Sequence, residues 1–263
     1  MAMKILVAIP AYRCAHQIGR VLGEFSCELL KRVSEVAVFD NQSPDNTVEV
    51  ALKSARDIEA RCPGAVVRVF RNDQNYGLGG THKAALLYAE KNGFDYMAIL
   101  HGDNQASTLE LGLLIDEVER ASDLDAALGA RFMGQSRLHG YSLIRTWGNR
   151  GLNLLYTLFS GRWTSDLGSG LNLFKTSTLS DHRYLLFSDA FTFNMDLLLD
   201  YFRKGAKVKY VPISWREEDQ VSNARTLAVG WITLKTLLKW RVGVKPQLSN
   251  KKCDYTSTLV EGT

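Results

Sequence analysis

Short apolar runs alternate with amphipathic helical patterns along the first 130 residues of this chain, and this alternation constrains its fold most strongly. In the helical stretches apolar residues recur every three or four positions, whereas the β-branched runs are too short for helices. Strands that alternate with helices form a parallel sheet, so the sequence predicts a doubly wound α/β fold. The predicted strands are 4–9, 36–39, 66–70, 96–100 and 126–128.

The loops after the first four strands form the predicted ligand-binding edge, because ligands of such sheets bind at the carboxyl ends of the strands. Three of these loops carry a carboxylate or a glycine cluster, at 40–45, 75–80 and 101–105. The sequence therefore predicts that the polar groups of separate loops meet at one edge of the sheet.

Beyond residue 130 the alternation weakens, but no repeat, low-complexity tract or clear linker interrupts the chain. We predict one continuous domain over residues 1–225, with halves at 1–130 and 131–225. A basic amphipathic helix and a tail are predicted over 226–263. Within that helix, Trp231, Leu234, Leu238 and Val242 share one face, and Lys235 and Lys239 lie on another.

The charge of the chain is uneven. Residues 203–252 carry a net charge of +9 within a total of +4, so the rest of the chain sums to −5. A basic segment suits phosphates, an anionic membrane surface or nucleic acid, and a solvated basic face is the plainer alternative. The composition, 46% hydrophobic and 23% charged, is that of a globular protein and excludes a disordered or collagen-like chain.

The four cysteines show no CxxC spacing, so neither a zinc site nor a disulfide framework is expected. We predict reduced thiols in a cytoplasmic protein. Residues 1–10 resemble a short signal peptide, but the apolar run meets Pro10 too early, and a buried first strand is the better interpretation. No apolar run approaches the ~20 residues needed to cross a bilayer.

Asp103 is the strongest candidate for chemistry, because it follows the fourth strand and has Gln105 two residues later. A carboxylate and an amide oxygen at such a position suit Mg²⁺ or Mn²⁺, which complete their shells with phosphate and water. A helix-capping aspartate beside a surface glutamine is an equally good interpretation of the spacing.

Asp40 ends the second strand, where it either binds a nucleotide base or ribose or simply forms an Asx turn. The glycine cluster at 77–80 begins a helix whose amides suit phosphates, or it makes an ordinary helix-start turn. A dinucleotide fingerprint would place glycines after the first strand, so a dehydrogenase is disfavoured. Arg216 opens a polar loop at 216–225, which either closes on a diphosphate or is a solvated charge run.

Taken in order, these motifs resemble family 2 glycosyltransferases with the nucleotide-sugar-binding GT-A fold, in particular the branch of dolichol-phosphate mannose synthase and bacterial polyprenyl-phosphate sugar transferases. The resemblance covers residues 4 to about 225. The matching segments are IPAY at 9–12, FDNQSPDNT at 39–47, NYGLGGTHKAAL at 75–86, HGDNQ at 101–105, GAR at 129–131, DLGSGL at 166–171 and the closing segment from PI at 212 to SN at 223.

The resemblance implies an inverting transfer of a sugar from a UDP- or GDP-sugar, with Mg²⁺ or Mn²⁺ as the cofactor and no nucleic acid partner. The implied catalytic residues are Asp103, Asp166, Asp196 and Arg216, with Asp166 and Asp196 as the candidate general bases. The implied metal contacts are Asp103, Gln105 and His101. Substrate binding falls on Pro10, Tyr12, Asp40, Asn41, Gly77, Gly79, Gly80, Arg131, Ser169, Gly170, Ser222 and Asn223.

Three positions depart from the family pattern. His101 replaces the first aspartate of the metal motif, Asn41 replaces the second aspartate of the nucleotide loop, and Asn223 replaces a lysine. A metal site is still expected on one carboxylate, and a histidine nitrogen in contact with the ion would favour Mn²⁺. A non-catalytic nucleotide-sugar binder is one alternative. A sugar-nucleotide nucleotidyltransferase is another, disfavoured because residues 11–14 lack a glycine-rich basic loop.

The resemblance leaves the acceptor open between a polyprenyl phosphate and a glycan hydroxyl in cell-envelope or polysaccharide synthesis. A hydroxyl requires a general base, whereas a lipid phosphate is already anionic and requires none. The helices predicted at 147–159 and 227–242 suit a peripheral membrane surface, packing on the sheet, or the interface of a homo-oligomer. The expected location is the cytoplasm, with a peripheral position on the inner face of the membrane as a further expectation.

Overall fold

An eight-stranded sheet forms the centre of the computed structural model, which describes residues 3–217, 226–243 and 254–261. Two further strands form a small separate sheet. The strands are β1 (Ile5–Ala11), β2 (Glu35–Asp40), β3 (Val67–Asn72), β4 (Tyr96–Leu100), β5 (Ala126–Ala130), β6 (Leu138–His139), β7 (Leu171–Lys175), β8 (Val208–Pro212), β9 (Trp215–Arg216) and β10 (Ser257–Leu259).

The main sheet has the order β10-β3-β2-β1-β4-β7-β5-β8, and β6 pairs with β9. The neighbouring strands β3, β2, β1 and β4 are parallel, as predicted, with Val7 of β1 opposite Val36 of β2 and Ala98 of β4. β7 runs antiparallel between β4 and β5. The segment that precedes β7 therefore lies at the same edge as the loops that follow the parallel strands.

Helices cover both faces of the sheet, and each face has its own apolar core. One core lies against α1, α3 and α5, and the other against α4 and α7, with Tyr156 of α6 and Leu237 of α8 added to it. The α-helices are α1 (Ala15–Gly23), α2 (Cys27–Leu30), α3 (Thr47–Arg61), α4 (Gly77–Lys91), α5 (Leu111–Arg120), α6 (Leu143–Ser160), α7 (Phe193–Arg203) and α8 (Thr226–Arg241). None of the described helices is long and apolar enough to span a bilayer.

The predicted apolar face of α8 is largely exposed rather than packed on the sheet. Trp231 and Val242 are 66% and 75% exposed, whereas Leu237 and Thr233 are fully buried. The hydroxyl of Tyr156 on α6 donates to Thr233 O over 3.0 Å, so α8 packs against α6 through a different face.

The prediction of four reduced thiols is wrong. Cys27 and Cys62 form a disulfide that links α2 to the end of α3, with 5.4 Å between their Cα atoms. The two cysteines are 35 residues apart, and no sequence spacing signals such a pair. Cys14 is free and buried, and Cys253 lies outside the described residues.

The tail contributes to the sheet. β10 pairs with β3 and forms the outer edge of the sheet on the side built by strands of the first half of the domain. The domain boundary at residue 225 stays a prediction, but the tail after α8 returns to the domain that precedes it.

Candidate active site

The HGDNQ loop after β4 is the centre of the site, because backbone hydrogen bonds join it to two neighbouring segments. Gly102 N donates to Pro10 O over 3.0 Å, and His101 N donates to Gly170 O over 2.9 Å. A Cβ atom at position 170 would lie 2.8 Å from Cγ of His101, so this approach requires glycine. The loops after β1 and β4 and the segment before β7 thus meet at one edge.

Arg216 joins this loop from the far end of the domain. Its backbone N donates to Gln105 O over 2.8 Å, and its Nη2 donates to Glu24 Oε1 over 3.3 Å. Glu24 also accepts hydrogen bonds from Ser107 Oγ and Thr108 N, at 3.1 and 2.9 Å. The backbone of Arg216 therefore joins the HGDNQ loop while its guanidinium pairs with Glu24, and the catalytic role of Arg216 stays a prediction.

Asp103 has a carboxylate with spare capacity. Its Oδ1 accepts the backbone N–H of Gln105 over 3.2 Å, and among the described residues its other oxygen has no hydrogen-bond partner. The thiol of Cys14 lies nearby: burial raises its pKa to about 12, and the negative charges of Asp103 and Asp45 add to the effect. The thiol of Cys14 therefore stays neutral near pH 7.

The donors of this loop fit a hard divalent cation that takes most of its ligands from substrate and water. No group of three His, Cys, Asp or Glu residues stands ready to hold a metal in the part of the chain described. Asp103 and Gln105 supply oxygens, and Mg²⁺ and Mn²⁺ accept such a sparse set when phosphate and water complete the shell.

His101 is less well placed for the ion. Its Nε2 is shielded from solvent and has no partner among the described residues. An ion that reaches the HGDNQ loop from solvent would therefore contact Asp103 instead. The ring lies against that of His82, with 5.5 Å between the centroids. Burial lowers the pKa of His101, and Arg131 lowers it further against the opposing effect of Asp103. The imidazole is therefore neutral near pH 7.

Asp40 is the last residue of β2, and Asn41 begins the loop that follows it. Asp40 is fully buried, accepts the backbone N–H of Ser43 and lies 3.6 Å from Arg71 Nε. The contact with Ser43 reaches one residue further than an Asx turn does, and base binding by Asp40 stays a prediction. Asn41 is also buried, and its Oδ1 accepts from Asn72 Nδ2 over 3.1 Å.

The glycine cluster at the start of α4 packs against the segment before α7. Gly79 N and Gly80 N donate to Asp189 O over 2.8 and 3.3 Å, and Gly77 N donates to Asn75 Oδ1 over 3.0 Å. A Cβ at Gly79 would collide with the carbonyl of Ser188. In this conformation the amides are occupied within the chain, which does not favour their predicted role in substrate binding.

Arg131 and Asp166 form a buried ion pair beside the HGDNQ loop. Asp166 accepts both side-chain N–H groups and the backbone N–H of Arg131, and also the N–H of Gly168. The guanidinium lies between the rings of Phe132 and Trp215, 5.1 and 4.9 Å from their centroids. Burial alone would lower the pKa of Arg131, but Asp166 raises it above the ordinary value. An occupied carboxylate of this kind does not favour Asp166 as a general base.

Asp196, the second candidate base, is half-buried on α7 and accepts the N–H of Ser188 over 3.2 Å. Burial raises its pKa, which suits a proton acceptor, but no hydrogen bond joins it to the HGDNQ loop. Tyr12 is 44% exposed at the cleft, and Ser169 is buried. The predicted substrate residues Ser222 and Asn223 lie outside the described residues.

Two residues of the site escaped the sequence analysis. Glu24 holds both Arg216 and the start of the helical turn at 107–108, and nothing in its local sequence indicates this. Asn72 is fully buried and joins Asn41 to Thr81 of α4. Its position at the end of β3 is the signal that could have identified it, because polar residues at the ends of the other parallel strands lie at the same edge.

Comparison with known proteins identifies the family of the chain. The Glycosyl transferase family 2 model matches residues 6–183. The dolichyl-phosphate beta-glucosyltransferase of Saccharomyces cerevisiae is 26% identical, and the alignment covers 94% of this chain and 77% of the yeast protein. The UDP-N-acetylglucosamine–dolichyl-phosphate N-acetylglucosaminyltransferase of Methanococcus voltae is 25% identical, over 68% of this chain and 72% of that protein.

The fold is also that of a solved glycosyltransferase. Glucosyl-3-phosphoglycerate synthase from Mycobacterium tuberculosis, in complex with Mn²⁺ and UDP-glucose, aligns with a TM-score of 0.65 and 17% identity. The alignment covers 92% of this chain and 80% of that structure, which shows a shared GT-A fold. Because the family match spans more than half of the chain and takes in the HGDNQ loop, this protein belongs to glycosyltransferase family 2 and is a glycosyltransferase.

Proposed function

We propose that this chain transfers a sugar from a UDP-sugar to a polyprenyl phosphate, with inversion and with Mg²⁺ or Mn²⁺ bound at Asp103. The observation that carries the proposal is the bond between Arg216 N and Gln105 O, because it joins the segment that carries Arg216 to the loop that carries Asp103. The names of the yeast and M. voltae relatives support the lipid-phosphate acceptor, and the second supports UDP over GDP.

The leaving diphosphate is the group that needs most stabilisation, because negative charge develops on it during transfer. Asp103 and Gln105 would hold the metal ion, which when bound neutralises part of that charge. Arg216 adds a positive charge at the same loop. Arg131 adds a second guanidinium nearby, and Asp166 keeps it in one orientation.

In the proposed reaction an oxygen of the lipid phosphate attacks the anomeric carbon of the sugar. The bond from that carbon to the diphosphate oxygen breaks, and UDP leaves from the opposite face. The products are UDP and a glycosyl polyprenyl phosphate. The attacking oxygen is already anionic at neutral pH, so no general base is required, which agrees with the occupied carboxylate of Asp166.

The surface formed by α6 and α8 suits an acceptor that is embedded in a membrane. These two helices and the turns that follow them carry eleven of the seventeen large apolar side chains that are exposed in the described part of the chain. The eleven are Leu143, Ile144, Trp147, Leu154, Leu158, Phe159, Trp163, Trp231, Ile232, Leu238 and Val242. Three of them are tryptophans, the residue that prefers the boundary between lipid and water.

Exposed basic side chains on the same surface support an anionic bilayer as its partner. They are Arg150, Arg162, Lys235, Lys239 and Arg241. Apolar side chains beside basic ones bind membranes by burying in the interface while the cations contact lipid phosphates. We propose that the α6–α8 surface docks on such a bilayer, from which the lipid phosphate reaches the site.

A thermal-shift panel tests the donor and the metal. UDP, GDP, dTDP and CDP are each added with Mn²⁺ and again with EDTA, since a ligand that binds only the folded chain raises its melting temperature. We expect a shift with UDP that requires Mn²⁺. Transfer is then followed from the corresponding UDP-sugars to a polyprenyl phosphate. If another nucleotide raises the melting temperature instead, the proposed donor changes to the sugar derivative of that nucleotide. If no nucleotide raises the melting temperature, the proposal is overturned.

A second candidate is a non-catalytic nucleotide-sugar binder. The shielded Nε2 of His101 favours it, because the histidine that replaces the first aspartate of the metal motif then adds no ligand to the carboxylate of Asp103. This alternative predicts that UDP binds but that no sugar reaches a lipid phosphate. Measured turnover with any acceptor would exclude it.

A further inference from the structure

The segment 254–261 lies along the outer edge of the sheet, and the proposed reaction makes no use of it. β10 pairs antiparallel with β3, with Ser257 opposite Asn72. The pairing continues past β10, because Val260 N donates to Val69 O over 2.8 Å. The segment is therefore part of the sheet at the side where the loop after β2 lies.

Tyr255 anchors this segment. It is 7% exposed, and its hydroxyl donates to Asp189 Oδ1 over 2.7 Å and accepts from the buried Lys83 Nζ over 3.1 Å. Its φ of +44° lies in the left-handed region, which costs a tyrosine free energy and persists where surrounding contacts enforce it. The position of the segment is thus set by contacts with α4 and the loop before α7.

One chain of hydrogen bonds runs from the segment to the nucleotide loop through Asn72. Ser257 Oγ donates to Asn72 Oδ1 over 2.7 Å, and Asn72 Nδ2 donates to Asn41 Oδ1 over 3.1 Å. Asn72 is fully buried, and its Nδ2 also donates to Thr81 Oγ1 over 3.1 Å. The hydroxyl of Ser257 holds the oxygen of this amide, on the side opposite to Asn41 and Thr81.

A second chain reaches the same atom through Tyr76. Thr256 N donates to the hydroxyl of Tyr76 over 3.0 Å, and Tyr76 N donates to Asn41 Oδ1 over 2.8 Å. With two donors on its oxygen, Asn41 turns its Nδ2 to Asn75 Oδ1, at 2.9 Å. Both chains end on the residue that departs from the family pattern in the nucleotide loop.

We infer that the segment 254–261 is a working part of the donor site, in which Ser257, acting through Asn72, positions Asn41 for the sugar nucleotide. The inference rests on the proposed function and on the predicted binding of the nucleoside by the loop after β2. Ser257 is a positioning residue, because it reaches the ligand only through Asn72 and Asn41.

Ser257→Ala tests the inference, with Thr258→Ala as the matched control on the same strand, where the side chain is exposed. Binding of UDP with Mn²⁺ is measured by calorimetry, and KM and kcat are measured for the UDP-sugar. We expect Ser257→Ala to weaken UDP binding and raise KM roughly three- to tenfold, the effect of one lost hydrogen bond, with kcat little changed. Ser257→Thr, which keeps the hydroxyl, should restore binding.

The outcomes separate the two ideas. If the unaltered chain binds no nucleotide, the proposed function fails. If it binds UDP and Ser257→Ala matches Thr258→Ala, the proposed function stands and the role of the segment is overturned. The role is overturned as well if Ser257→Ala and Ser257→Thr weaken binding equally, because loss of packing would then explain the effect. A melting temperature for each variant confirms that the compared chains are folded.

Discussion

The guanidinium of Arg131 and the carboxylate of Asp166 form a bidentate ion pair. Nε donates to Oδ2 over 2.8 Å, and Nη2 donates to Oδ1 over 2.7 Å. The side chains are 13% and 1% exposed, so solvent replaces neither partner. A buried pair that loses one charge leaves the other uncompensated. Substitution of Asp166 therefore distinguishes a structural role, seen as lost stability, from a catalytic role, seen as lost turnover.

Asp166→Asn should therefore destabilise the fold by about 3–5 kcal/mol, measured by urea unfolding. Asp123→Asn is the control, because Asp123 pairs with Lys207 at the exposed surface, where a lost ion pair has little effect. A variant as stable as the unaltered chain, but with turnover reduced a thousandfold, would instead make Asp166 the general base.

Asp103→Asn should reduce turnover at least about a hundredfold, because the leaving diphosphate loses the carboxylate that holds its counter-ion. The side chain is only partly buried and accepts one backbone hydrogen bond, so the melting temperature should stay unchanged. Asp57→Asn, on the exposed side of α3, is the matched control. Unchanged turnover in Asp103→Asn would remove the metal from this position.

The double variant Trp147→Glu and Trp231→Glu should lower binding to vesicles that contain an anionic phospholipid at least tenfold. The two side chains are 68% and 66% exposed on α6 and α8, so the fold does not depend on them. Leu109→Glu is the control, because Leu109 is 60% exposed outside the α6–α8 surface. Cosedimentation measures binding, and size-exclusion chromatography identifies a dimer. Equal binding by all three chains would exclude the membrane surface, and a dimer that the double variant abolishes would make it an interface between copies.

Asp196 should make the stability of the chain depend on pH. Burial raises its pKa, against the opposing effects of the Ser188 N–H and of Lys83 and Lys239. The folded chain therefore holds this proton more tightly than the unfolded chain. The resulting stability is fully present below the unfolded pKa of about 3.9 and is lost as the pH rises through the folded pKa.

Asp196→Asn removes this titration, so the variant should gain stability relative to the unaltered chain between about pH 4 and pH 8. Urea unfolding at both pH values measures the difference. Asp57→Asn should show the same pH dependence as the unaltered chain. Two parallel profiles for Asp196→Asn would mean that burial does not raise the pKa of Asp196.

The strands of the first half are predictable from the sequence because their signal is local. The residues of β1, β2 and β4 are mostly apolar, apart from Glu35 and Asp40 at the ends of β2, and the parallel arrangement follows from the helices between them. β7 also carries an apolar core, but periodicity carries no information on direction, so its antiparallel placement was not predictable. β10 has the sequence Ser-Thr-Leu, which is too short for a strand pattern, and it forms a strand through its pairing with β3.

The positions of Asp103 and Asp40 at one edge of the sheet were predictable because both lie where a strand ends, and their roles stay predictions. The candidate site was not predictable where a role depends on a distant partner. Asp166 lies 35 positions from Arg131, and only the structure shows that the pair occupies the carboxylate. The exposed face of α8 is a similar case, because hydrophobic spacing shows that a face exists and not what covers it.

The pairing of β10 with β3 also bears on the order in which the protein is made. β10 is synthesised after every other strand of the sheet, so β3 stays an open edge until the ribosome has produced nearly all of the described chain. An open edge strand is a template for pairing with other chains. Growing chains of this protein are therefore most exposed to aggregation through β3, and a chaperone that covers this edge would protect them until β10 arrives.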